Sequence, residues 1–532
     1  MDNQVEKKRN RLLRRADWRY LLSNPWPEKS ICFNSGFLAQ AVQSVSSQTL
    51  PANESTPGEC DLAVATNPNS TTLQRAWQAL CPGGSFYSEW YLPLAGGSAG
   101  IRKRLEAANF TNVVCYWPWP IPAFSSALFW LPLDAPHVIR YFLSSRHRPA
   151  NPLVRFENYI LQFLWKFARN TGLLSPICVT ACKGEPPFIT AIPPVPEEEL
   201  IVEWMDGKTG GNSRSFDSLM WTGGRHSINK VILYQFAHRE ENPRLVVKLP
   251  RIPEAIPALT HEAHILRTLH ARKREAAART PAVLFLHETN DTVELGETVV
   301  LGRLLYEVLD SDNALSWAIK VTEWLASLVV NEPIHPRTTW WNGFIEPVLY
   351  DFKQAFEPVL DSFVIAKCWS ILNRLGELPR AFEHRDCAPW NLLVTPGGEL
   401  AVLDWESAEQ NGLPALDLFY FLAYLAFFMD GAMKNRNFVE SYRRAFDPTT
   451  NTGLLQATCQ QRYTECTGLD PAVLYPLRLL TWLVQARSEV RRLSADAGGA
   501  PPQSALRRSL FYSLVLEELA QEQDETASFR VQ

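Results

Sequence analysis

Hydrophobic and polar positions divide the chain into three regions with different patterns. Up to about residue 145, short apolar runs alternate with stretches of helical periodicity and with Pro/Gly turns. This alternation predicts a small domain built from α/β units, residues 1–145. Its predicted elements are strands at Asp61–Thr66, Phe86–Leu92 and Val113–Trp117, helices at Thr72–Leu80 and Ile101–Ala108, and a turn at Cys81–Gly84.

Residues 146–214 form a connecting region in this division. The pattern predicts a helix at Phe156–Arg169 and an apolar strand at Ile177–Ala181. Pro186–Glu199 is rich in Pro and Glu, which predicts a linker at a domain boundary.

Beyond about residue 215, predicted strands come first and predicted helices follow. Strands are expected at Leu219–Trp221, Lys230–Phe236, Arg244–Leu249 and Thr298–Leu305. Helical periodicity dominates from Ala314 onward, at Phe438–Phe446, Leu474–Leu493 and Ala505–Ala520, and the apolar run Leu418–Met429 predicts a core helix too short to span a bilayer. The order predicts an α+β fold with a small strand-rich lobe, residues 215–310, and a larger helical lobe, residues 311–532.

Composition narrows the class of protein. A chain of 532 residues with 46% hydrophobic residues, 18 Trp and 27 Phe can form two or three domains with cores of their own. A net charge of −4 gives no support to a nucleic-acid binder that acts through bulk charge. The ten Cys residues are scattered without a CxxC pair, so we expect reduced thiols in a cytoplasmic protein and no zinc site.

The basic run Lys7–Arg15 is the strongest local concentration of charge. No apolar stretch follows it, so it is not a secretory signal. A basic helix could contact an acidic membrane, but a solvated helix face is the favoured interpretation. We therefore expect no integral membrane segment.

The clearest chemical signal is His384–Asn391, followed by the apolar segment Leu392–Val394 and then by Asp404, thirteen residues after Asn391. Phosphoryl transfer needs a carboxylate near the attacking hydroxyl and oxygen ligands for Mg²⁺. An Asp with an Asn five positions later, and then a strand that ends in Asp, supplies these groups from two adjacent loops.

This segment resembles the catalytic loop of the aminoglycoside phosphotransferase and choline kinase-like family, a small-molecule branch of the protein-kinase-like fold. The family pattern His-x-Asp-x-x-x-x-Asn, followed by Ile/Leu-Asp-Trp/Phe-Glu, is matched at His384, Asp386, Asn391, Asp404, Trp405 and Glu406. Asp-Trp-Glu in place of Asp-Phe-Gly favours this branch over protein kinases. Pro414–Leu418 also resembles the family's downstream Pro-x-x-Asp-Leu segment.

The resemblance implies a bilobal kinase that uses ATP and Mg²⁺ to phosphorylate a small-molecule hydroxyl. Asp386 would act as the catalytic base or orient the acceptor hydroxyl, and Asn391 and Asp404 would hold Mg²⁺. His384 would brace the loop, and Asp417 would have a structural role.

Upstream residues are predicted to complete the nucleotide site. The apolar strand Leu245–Lys248 ends in a lysine that could contact phosphates, and Glu262, fourteen positions later on a predicted helix, could pair with it. Glu254 is a competitor for that pairing. The backbone N–H groups of Gly223 and Gly224 could bind phosphates, although an ordinary hairpin turn is the alternative because a full GxGxxG is absent.

The N-terminal region resembles the back half of a class I methyltransferase. Ala79–Gly84 looks like the turn before its fifth strand, and Ala107–Phe110 with Val113–Cys115 looks like a later helix-to-strand step. The front half is nearly absent, because only Asn34–Gly36 is available for the cofactor's glycine turn. We expect a degenerate α/β module that does not methylate, whose open strand edges would favour self-association or a protein partner.

Several alternatives stay open at this point. The chain could be a catalytically silent kinase-fold protein, or a bifunctional protein with methyltransferase activity. Trp340–Phe344 could line an aromatic acceptor pocket, although aromatic helix packing is favoured. The sequence leaves the acceptor undetermined among sugars, amino-sugars, amino-alcohols and similar molecules, and it does not separate ATP from GTP.

Overall fold

In the computed structural model the chain divides into two units. The described residues are 2–52, 56–91, 97–122, 127–145, 176–184, 216–224, 228–288, 292–329, 332–497 and 499–529, with the single positions 160, 163, 165 and 226. The first unit comprises residues 1–260 and 283–299, and the second comprises residues 261–282 and 300–532.

The first unit is built around one large mixed sheet. Its strands are β1 (Lys29–Cys32), β2 (Gln48–Leu50), β3 (Cys60–Thr66), β4 (Leu80–Trp90), β5 (Phe110–Trp119), β6 (Phe129–Pro132), β7 (Ile177–Lys183), β8 (Phe216–Trp221), β9 (Val231–Ala237), β10 (Leu245–Leu249), β11 (Val283–Glu288) and β12 (Val293–Thr298). The sheet has 12 strands in the order β11-β12-β10-β9-β8-β6-β5-β7-β4-β3-β1-β2.

Helices precede the first strand of this sheet and connect later ones. They are α1 (Asp2–Arg15), α2 (Phe37–Val45), α3 (Ser70–Ala79), α4 (Gly97–Ala107) and α5 (Pro136–Ser145), with a short 3-10 helix at Asp17–Leu21. α3 begins where the side chain of Asn69 accepts a hydrogen bond from the N–H of Thr72 over 2.8 Å, which caps an otherwise unpaired donor. β1 to β4 are parallel, as helical crossovers require.

Pairing between β6 and β8 joins strands that the sequence assigned to separate domains. The two strands are antiparallel, with Phe129 opposite Trp221 and Trp130 opposite Met220. β6 belongs to the predicted domain 1–145 and β8 to the predicted lobe 215–310, so their strands share one sheet. The strand edge that was expected to be open is paired within the chain, and β2 and β11 are the remaining edges. The domain division and self-association stay predictions.

A hydrophobic core follows the sheet across this junction. Trp18 stacks on Tyr87 with ring centroids 3.9 Å apart, and both rings belong to a buried cluster that also contains Trp130 from β6, Leu233 from β9 and Val247 from β10. Burial of these apolar side chains stabilises the sheet along its length.

Most strands and helices predicted for the first unit are confirmed, but α4 begins four residues and β4 six residues before the predicted start, and two further predictions need correction. Cys81–Gly84 is not a turn but part of β4, where the pairing register with β3 shifts between Cys60 and Leu62. Within the strand expected at Thr298–Leu305, only Thr298, the last residue of β12, and the two-residue strand Arg303–Leu304 have strand structure, and Leu305 begins a helix. Glu294 and Glu297 made β12 hard to predict because they are charged, although both are buried. The predicted linker Pro186–Glu199 and the helix Phe156–Arg169 lie outside the described residues, three single positions of that helix excepted.

The second unit is mainly helical. α6 (Ile256–Arg272) crosses the boundary between the units, and the later helices are α7 (Arg274–Ala277), α8 (Leu305–Val308), α9 (Ala314–Ser327), α10 (Arg337–Trp340), α11 (Glu346–Phe356), α12 (Ser362–Leu372), α13 (Leu416–Met429), α14 (Ala432–Asn435), α15 (Phe438–Ala445), α16 (Asn451–Thr467), α17 (Leu474–Ala497), α18 (Gln503–Leu506) and α19 (Leu510–Phe529). A π-helical turn at Trp341–Ile345 precedes α11.

Short strands in the second unit support its loops. They are β13 (Arg303–Leu304), β14 (Ile334–His335), β15 (Leu378–Pro379), β16 (Ala381–Glu383), β17 (Leu392–Val394), β18 (Leu400–Val402) and β19 (Glu409–Gly412). They pair as β13-β17-β18, β14-β15 and β16-β19. The helix predicted at Leu418–Met429 is α13, which is buried from Leu416 to Phe427. The molecule is therefore a mixed α+β protein with one large sheet and many helices.

All ten cysteines are free thiols, six of them buried. Within the described ranges, no helix combines the length and the apolar character needed to cross a lipid bilayer.

Candidate active site

Two neighbouring loops of the second unit carry the acidic and amide side chains. The loop from His384 to Asn391 connects β16 to β17, and Asp404 follows β18, which pairs with β17. Two backbone hydrogen bonds hold the loops in place: the N–H of Leu403 donates to the Asn391 carbonyl, and the N–H of Asn391 donates to the Ala388 carbonyl, both over 2.9 Å. The hairpin thus brings together the loops that the sequence predicted to act together.

Both carboxylate oxygens of Asp386 accept hydrogen bonds. Nδ2 of Asn391 donates to Oδ2 over 2.8 Å and to the Asp386 carbonyl over 2.9 Å. The hydroxyl of Tyr420, on α13, donates to Oδ1 over 2.9 Å. These contacts fix the carboxylate of Asp386, a half-buried residue, in a single orientation. A fixed, accessible carboxylate can orient a hydroxyl and accept its proton.

The groups around Asp386 shift its pKa in opposite directions. Burial, and then the negative charge of Asp404, raise the pKa of Asp386 to about 6. The hydrogen bonds from Tyr420 and Asn391 and the positive charge of Arg492 act in the opposite direction. A carboxyl group with a pKa near neutrality is a better proton acceptor than an ordinary aspartate.

Asp417 fixes the start of the catalytic loop from the first turn of α13. Its two oxygens accept from the N–H groups of His384, over 2.6 Å, and Arg385, over 2.7 Å. The ring of His384 links the two loops, because Nδ1 accepts from the N–H of Asp386 over 3.3 Å and Nε2 lies 2.8 Å from the carbonyl of Leu403. The geometry agrees with the bracing roles proposed for His384 and Asp417.

The backbone adopts left-handed conformations at two residues of this site. Arg385 has φ 64° and Asp404 has φ 67°. For residues with a Cβ this region costs about 1 kcal/mol or more and is concentrated at functional sites. In Arg385 the carbonyl also accepts from Nε2 of Gln485 over 2.8 Å, and this bond helps to maintain the conformation.

Three carboxylates converge beside the second loop. One oxygen from each of Glu262, Asp404 and Glu406 lies within 4.8 Å of the other two. Glu262 is fully buried on α6, and its Oε1 accepts from the N–H of Trp405 over 2.9 Å. Three negative charges this close repel one another unless a cation lies among them.

The donor set fits Mg²⁺. Carboxylate and amide oxygens are its preferred protein ligands, and Asn391 adds an amide oxygen because its Nδ2 is engaged with Asp386. Asp404 and Asn391, the predicted ligands, are joined by the hairpin described above. Glu262 and Glu406 lie beside Asp404, an arrangement that the motif did not predict.

The remaining predicted residues lie in the first unit. Lys248 is buried on β10, and its Nζ lies 3.0 Å from Oε1 and 2.9 Å from Oε2 of Glu297 on β12. Lys248 pairs in register with Leu295, so Glu297 is its diagonal neighbour on one face of the sheet. The proposed pairing of Lys248 with Glu262 stays a prediction, since these residues belong to different units. Its competitor Glu254 is exposed.

Gly223 and Gly224 follow the end of β8, as predicted for a turn. A Cβ on Gly223 would lie 2.3 Å from the Trp221 ring, and one on Gly224 would lie 2.3 Å from the Asn229 side chain. Gly224 also has φ +82°, a conformation that favours glycine. Both positions therefore require glycine, whatever the turn binds.

Sequence reasoning missed Tyr420 and Glu297. Tyr420 lies three positions after Asp417, so both residues lie on one face of α13, and this spacing could have indicated it. Glu297 carried no comparable signal, because its partner is set by sheet pairing.

Residues 231–465 match the model of a family described as the phosphotransferase enzyme family, APH. The match begins with β9 and ends in α16, so it includes Lys248, the catalytic loop and Asp404, and it leaves residues 1–230 outside. A comparison with curated proteins finds no match.

Solved structures of aminoglycoside phosphotransferases resemble the chain distantly. An aminoglycoside-3'-phosphotransferase of type VIII is 16% identical, with 50% of this chain and 94% of that chain covered, at a TM-score of 0.32. A thermostable mutant of aminoglycoside phosphotransferase APH(4)-Ia, in a ternary complex with AMP-PNP and hygromycin B, is 17% identical, with 60% and 98% covered, at a TM-score of 0.38. An enzyme from Streptomyces rimosus is 12% identical, with 53% and 98% covered, at a TM-score of 0.32.

Proposed function

We propose that the chain is a Mg²⁺- and ATP-dependent phosphotransferase that transfers the γ-phosphate to a hydroxyl of a small molecule. In this proposal residues 215–532 adopt the kinase-like fold. One observation carries it: Asp386 is held at both oxygens by Asn391 and Tyr420, in a loop paired to the one that bears Asp404. That loop lies inside the segment that matches the phosphotransferase family.

Asp386 is the proposed catalytic residue. Its fixed carboxylate would accept a hydrogen bond from the acceptor hydroxyl, orient its oxygen for attack and receive the proton as the phosphoryl group transfers. The raised pKa of Asp386 suits it to this exchange, because a more basic carboxylate takes up a proton more readily. His384 and Asp417 are positioning residues, which fix the loop from its two ends.

Asn391 and Asp404 would hold Mg²⁺, with Glu262 and Glu406 close enough to share in its binding or in its water shell. When bound, the ion supplies positive charge that neutralises the phosphate oxygens. The residues Lys248, Gly223 and Gly224 are proposed to bind the phosphates of the nucleotide. We propose a hydroxyl-bearing acceptor without choosing among sugars, amino-sugars and amino-alcohols.

Nucleotide turnover by the purified protein tests this function. ADP release is measured with Mg²⁺, ATP or GTP, and a panel of sugars, amino-sugars and amino-alcohols. Asp386→Asn is compared with Asp361→Asn, an exposed aspartate of the same unit. We expect acceptor-dependent ADP release that falls at least about a thousandfold in Asp386→Asn and is unchanged in Asp361→Asn. A protein that binds no Mg²⁺–nucleotide would refute the proposal, and tight binding without turnover would indicate a silent kinase-fold protein.

We further propose that the N-terminal strands form a degenerate methyltransferase-like module without methyltransferase activity. The four parallel strands have the order β2-β1-β3-β4, which supports the resemblance. From β1 the chain adds β2 on one side and then β3 and β4 on the other side, as in doubly wound nucleotide-binding sheets. At that point the N–H of Thr66 donates to Oδ1 of Asn34, and the N–H of Phe33 donates to the carbonyl of Val64. These bonds bridge the strand ends where a cofactor would enter.

Binding of S-adenosylmethionine tests this second proposal. Titration calorimetry with the full chain is expected to give no heat of binding up to millimolar cofactor. Saturable binding would favour the bifunctional alternative.

A further inference from the structure

The guanidinium of Arg251 donates hydrogen bonds to carbonyl groups of the turn that contains Gly223 and Gly224. Its Nη2 donates to the carbonyl of Thr222 over 3.2 Å and to that of Gly223 over 3.3 Å. Its Nη1 donates to the carbonyl of His226 over 3.1 Å. One fully buried guanidinium therefore fixes three peptide groups of a single turn.

The direction of these carbonyls determines where the turn's N–H groups point. In a trans peptide the C=O and the N–H point in opposite directions. Since the carbonyls of Thr222 and Gly223 face Arg251, the N–H groups of Gly223 and Gly224 point away from it. Among the described residues, neither N–H has a hydrogen-bond acceptor. Successive free N–H groups aimed to one side form an anion-binding concavity.

A residue of the N-terminal segment holds the guanidinium. Oδ1 of Asp17, in the 3-10 helix Asp17–Leu21, accepts from Nε of Arg251 over 3.0 Å, and neither side chain is exposed. Two other residues of this 3-10 helix bind the backbone at Arg251. Nη2 of Arg19 donates to the Arg251 carbonyl over 2.7 Å, and the hydroxyl of Tyr20 donates to the Pro250 carbonyl over 2.6 Å. Asp17 and Arg251 are 234 positions apart in the chain.

We infer that Asp17 and Arg251 are positioning residues that hold the Gly223–Gly224 turn ready to bind a nucleotide's phosphates. The inference rests on the proposed phosphotransferase function and assigns to the N-terminal segment a part in nucleotide binding. Under it, the α/β region preceding the family match is a structural component of the nucleotide site. If the hydrogen bonds from Arg251 to the carbonyls are weakened, the turn can rotate and its affinity for phosphate falls. The acidic residues of the catalytic loop are unchanged.

Arg251→Lys is the direct test. Lysine keeps a positive charge near Asp17, but it lacks the planar fork that reaches three carbonyls and a carboxylate together. Arg15→Lys is the matched control, because Arg15, two residues before Asp17, forms another buried ion pair, to Glu89 at 2.6 Å on β4, four strands away from β8 in the sheet. Asp17→Asn is a second variant that keeps an acceptor oxygen and removes the charge.

The measurements are the dissociation constant of ADP, the KM for ATP, kcat at saturating ATP and the thermal unfolding midpoint. We expect Arg251→Lys to weaken ADP binding and raise KM about tenfold or more while kcat changes less than about threefold. Asp17→Asn should give a smaller change in the same direction, and Arg15→Lys should leave both ADP affinity and KM unaltered.

The contrary outcomes separate this inference from the proposed function. If the unaltered protein binds ADP and transfers phosphate but folded Arg251→Lys binds ADP equally well, only the positioning role fails. Equal weakening in Arg15→Lys also overturns it, because the effect would be general loosening of the segment. If Arg251→Lys and Asp17→Asn both fail to fold, the pair is a folding determinant and the inference is wrong. If the unaltered protein binds no ADP, the proposed function and the inference fall together.

Discussion

The hydroxyl of Tyr420 donates to Oδ1 of Asp386 over 2.9 Å, from the second turn of a helix whose first turn holds the catalytic loop through Asp417. α13 therefore contributes to the site twice, three positions apart. Asp417 fixes the backbone of the loop, and Tyr420 fixes the reactive carboxylate. A helix that is buried from Leu416 to Phe427 provides a rigid support for both contacts.

Tyr420→Phe should lower phosphotransfer and leave the fold intact. The ring remains to fill its buried position, while Asp386 loses one of the two donors that orient it. We expect kcat to fall about tenfold, the loss that corresponds to one hydrogen bond to a charged group, with KM for ATP unchanged. Steady-state kinetics of Tyr420→Phe and of Tyr512→Phe, which loses a hydroxyl bonded to the Val359 carbonyl of the same unit, measure the difference. Equal kcat values in both variants would contradict the role of Tyr420.

The sequence predicted the catalytic loop because its chemistry lies in one short, contiguous motif. His384, Asp386 and Asn391 need only the local hairpin to meet, and Asp404 follows the partner strand. The same reasoning could not find Glu297 or Asp17, because their partners Lys248 and Arg251 are fixed by sheet pairing and by packing across long separations.

The pattern of hydrophobic and polar residues also could not predict how many strands the large sheet contains. β5, β8 and β9 were predicted and β6 was not, and hydrophobic alternation does not determine which edge a strand will pair with. Only four residues, Phe129, Trp130, Met220 and Trp221, form the register between β6 and β8. A Pro/Glu-rich linker suggested a domain boundary, whereas β6, which precedes it in the chain, pairs directly with β8, which follows it.

Asp417 should make stability depend on pH. Burial, and then the negative charge of Glu383, raise its pKa to about 7. Because the folded-state pKa lies above the ordinary value of 3.8, the stabilising effect of protonation is complete below pH 3.8 and is lost as the pH rises through 7. The free energy of unfolding should therefore fall by up to about 1.4 kcal/mol per pH unit within this window.

Urea unfolding of the natural chain and of Asp417→Asn, at several pH values from 4 to 8, measures that slope. Asparagine cannot titrate, so this contribution should be absent from the variant, although its stability is lower throughout because one backbone N–H loses an acceptor. Parallel pH profiles for the two proteins would show that Asp417 is already ionised across the range, and the prediction would be wrong.

Glu297→Gln should destabilise the first unit. Lys248 and Glu297 are both nearly inaccessible, so the variant leaves a buried ammonium beside a neutral amide. Loss of one partner of a buried pair costs about 3 kcal/mol. Glu240→Gln is the matched comparison, because Glu240 pairs with Arg244 at the surface, where a pair contributes about 0.5 kcal/mol. Chemical unfolding should separate the two variants clearly, and similar losses in both would argue against the importance of the buried pair.

Asp404→Asn and Glu406→Gln should have different effects on Mg²⁺-dependent activity, because we propose that Asp404 binds the ion and that Glu406 is only a neighbouring charge. Asp404 follows the strand paired to the catalytic loop, and we propose that it binds Mg²⁺ directly, whereas Glu406 lies within 4.8 Å of it. Replacing a direct carboxylate ligand should abolish activity and remove the Mg²⁺ dependence of ADP binding. Replacing Glu406 should only raise the Mg²⁺ concentration for half-maximal activity, by about tenfold.

Titration calorimetry of ADP with and without Mg²⁺ gives a readout that does not depend on turnover. Glu262→Gln is informative beside these variants, because glutamine can still accept from the N–H of Trp405 through its amide oxygen. Mg²⁺-dependent ADP affinity that survives in Glu262→Gln would identify Glu262 as a structural acceptor, and its loss would place Glu262 among the ligands. Full retention of that dependence in Asp404→Asn would contradict the metal site as proposed.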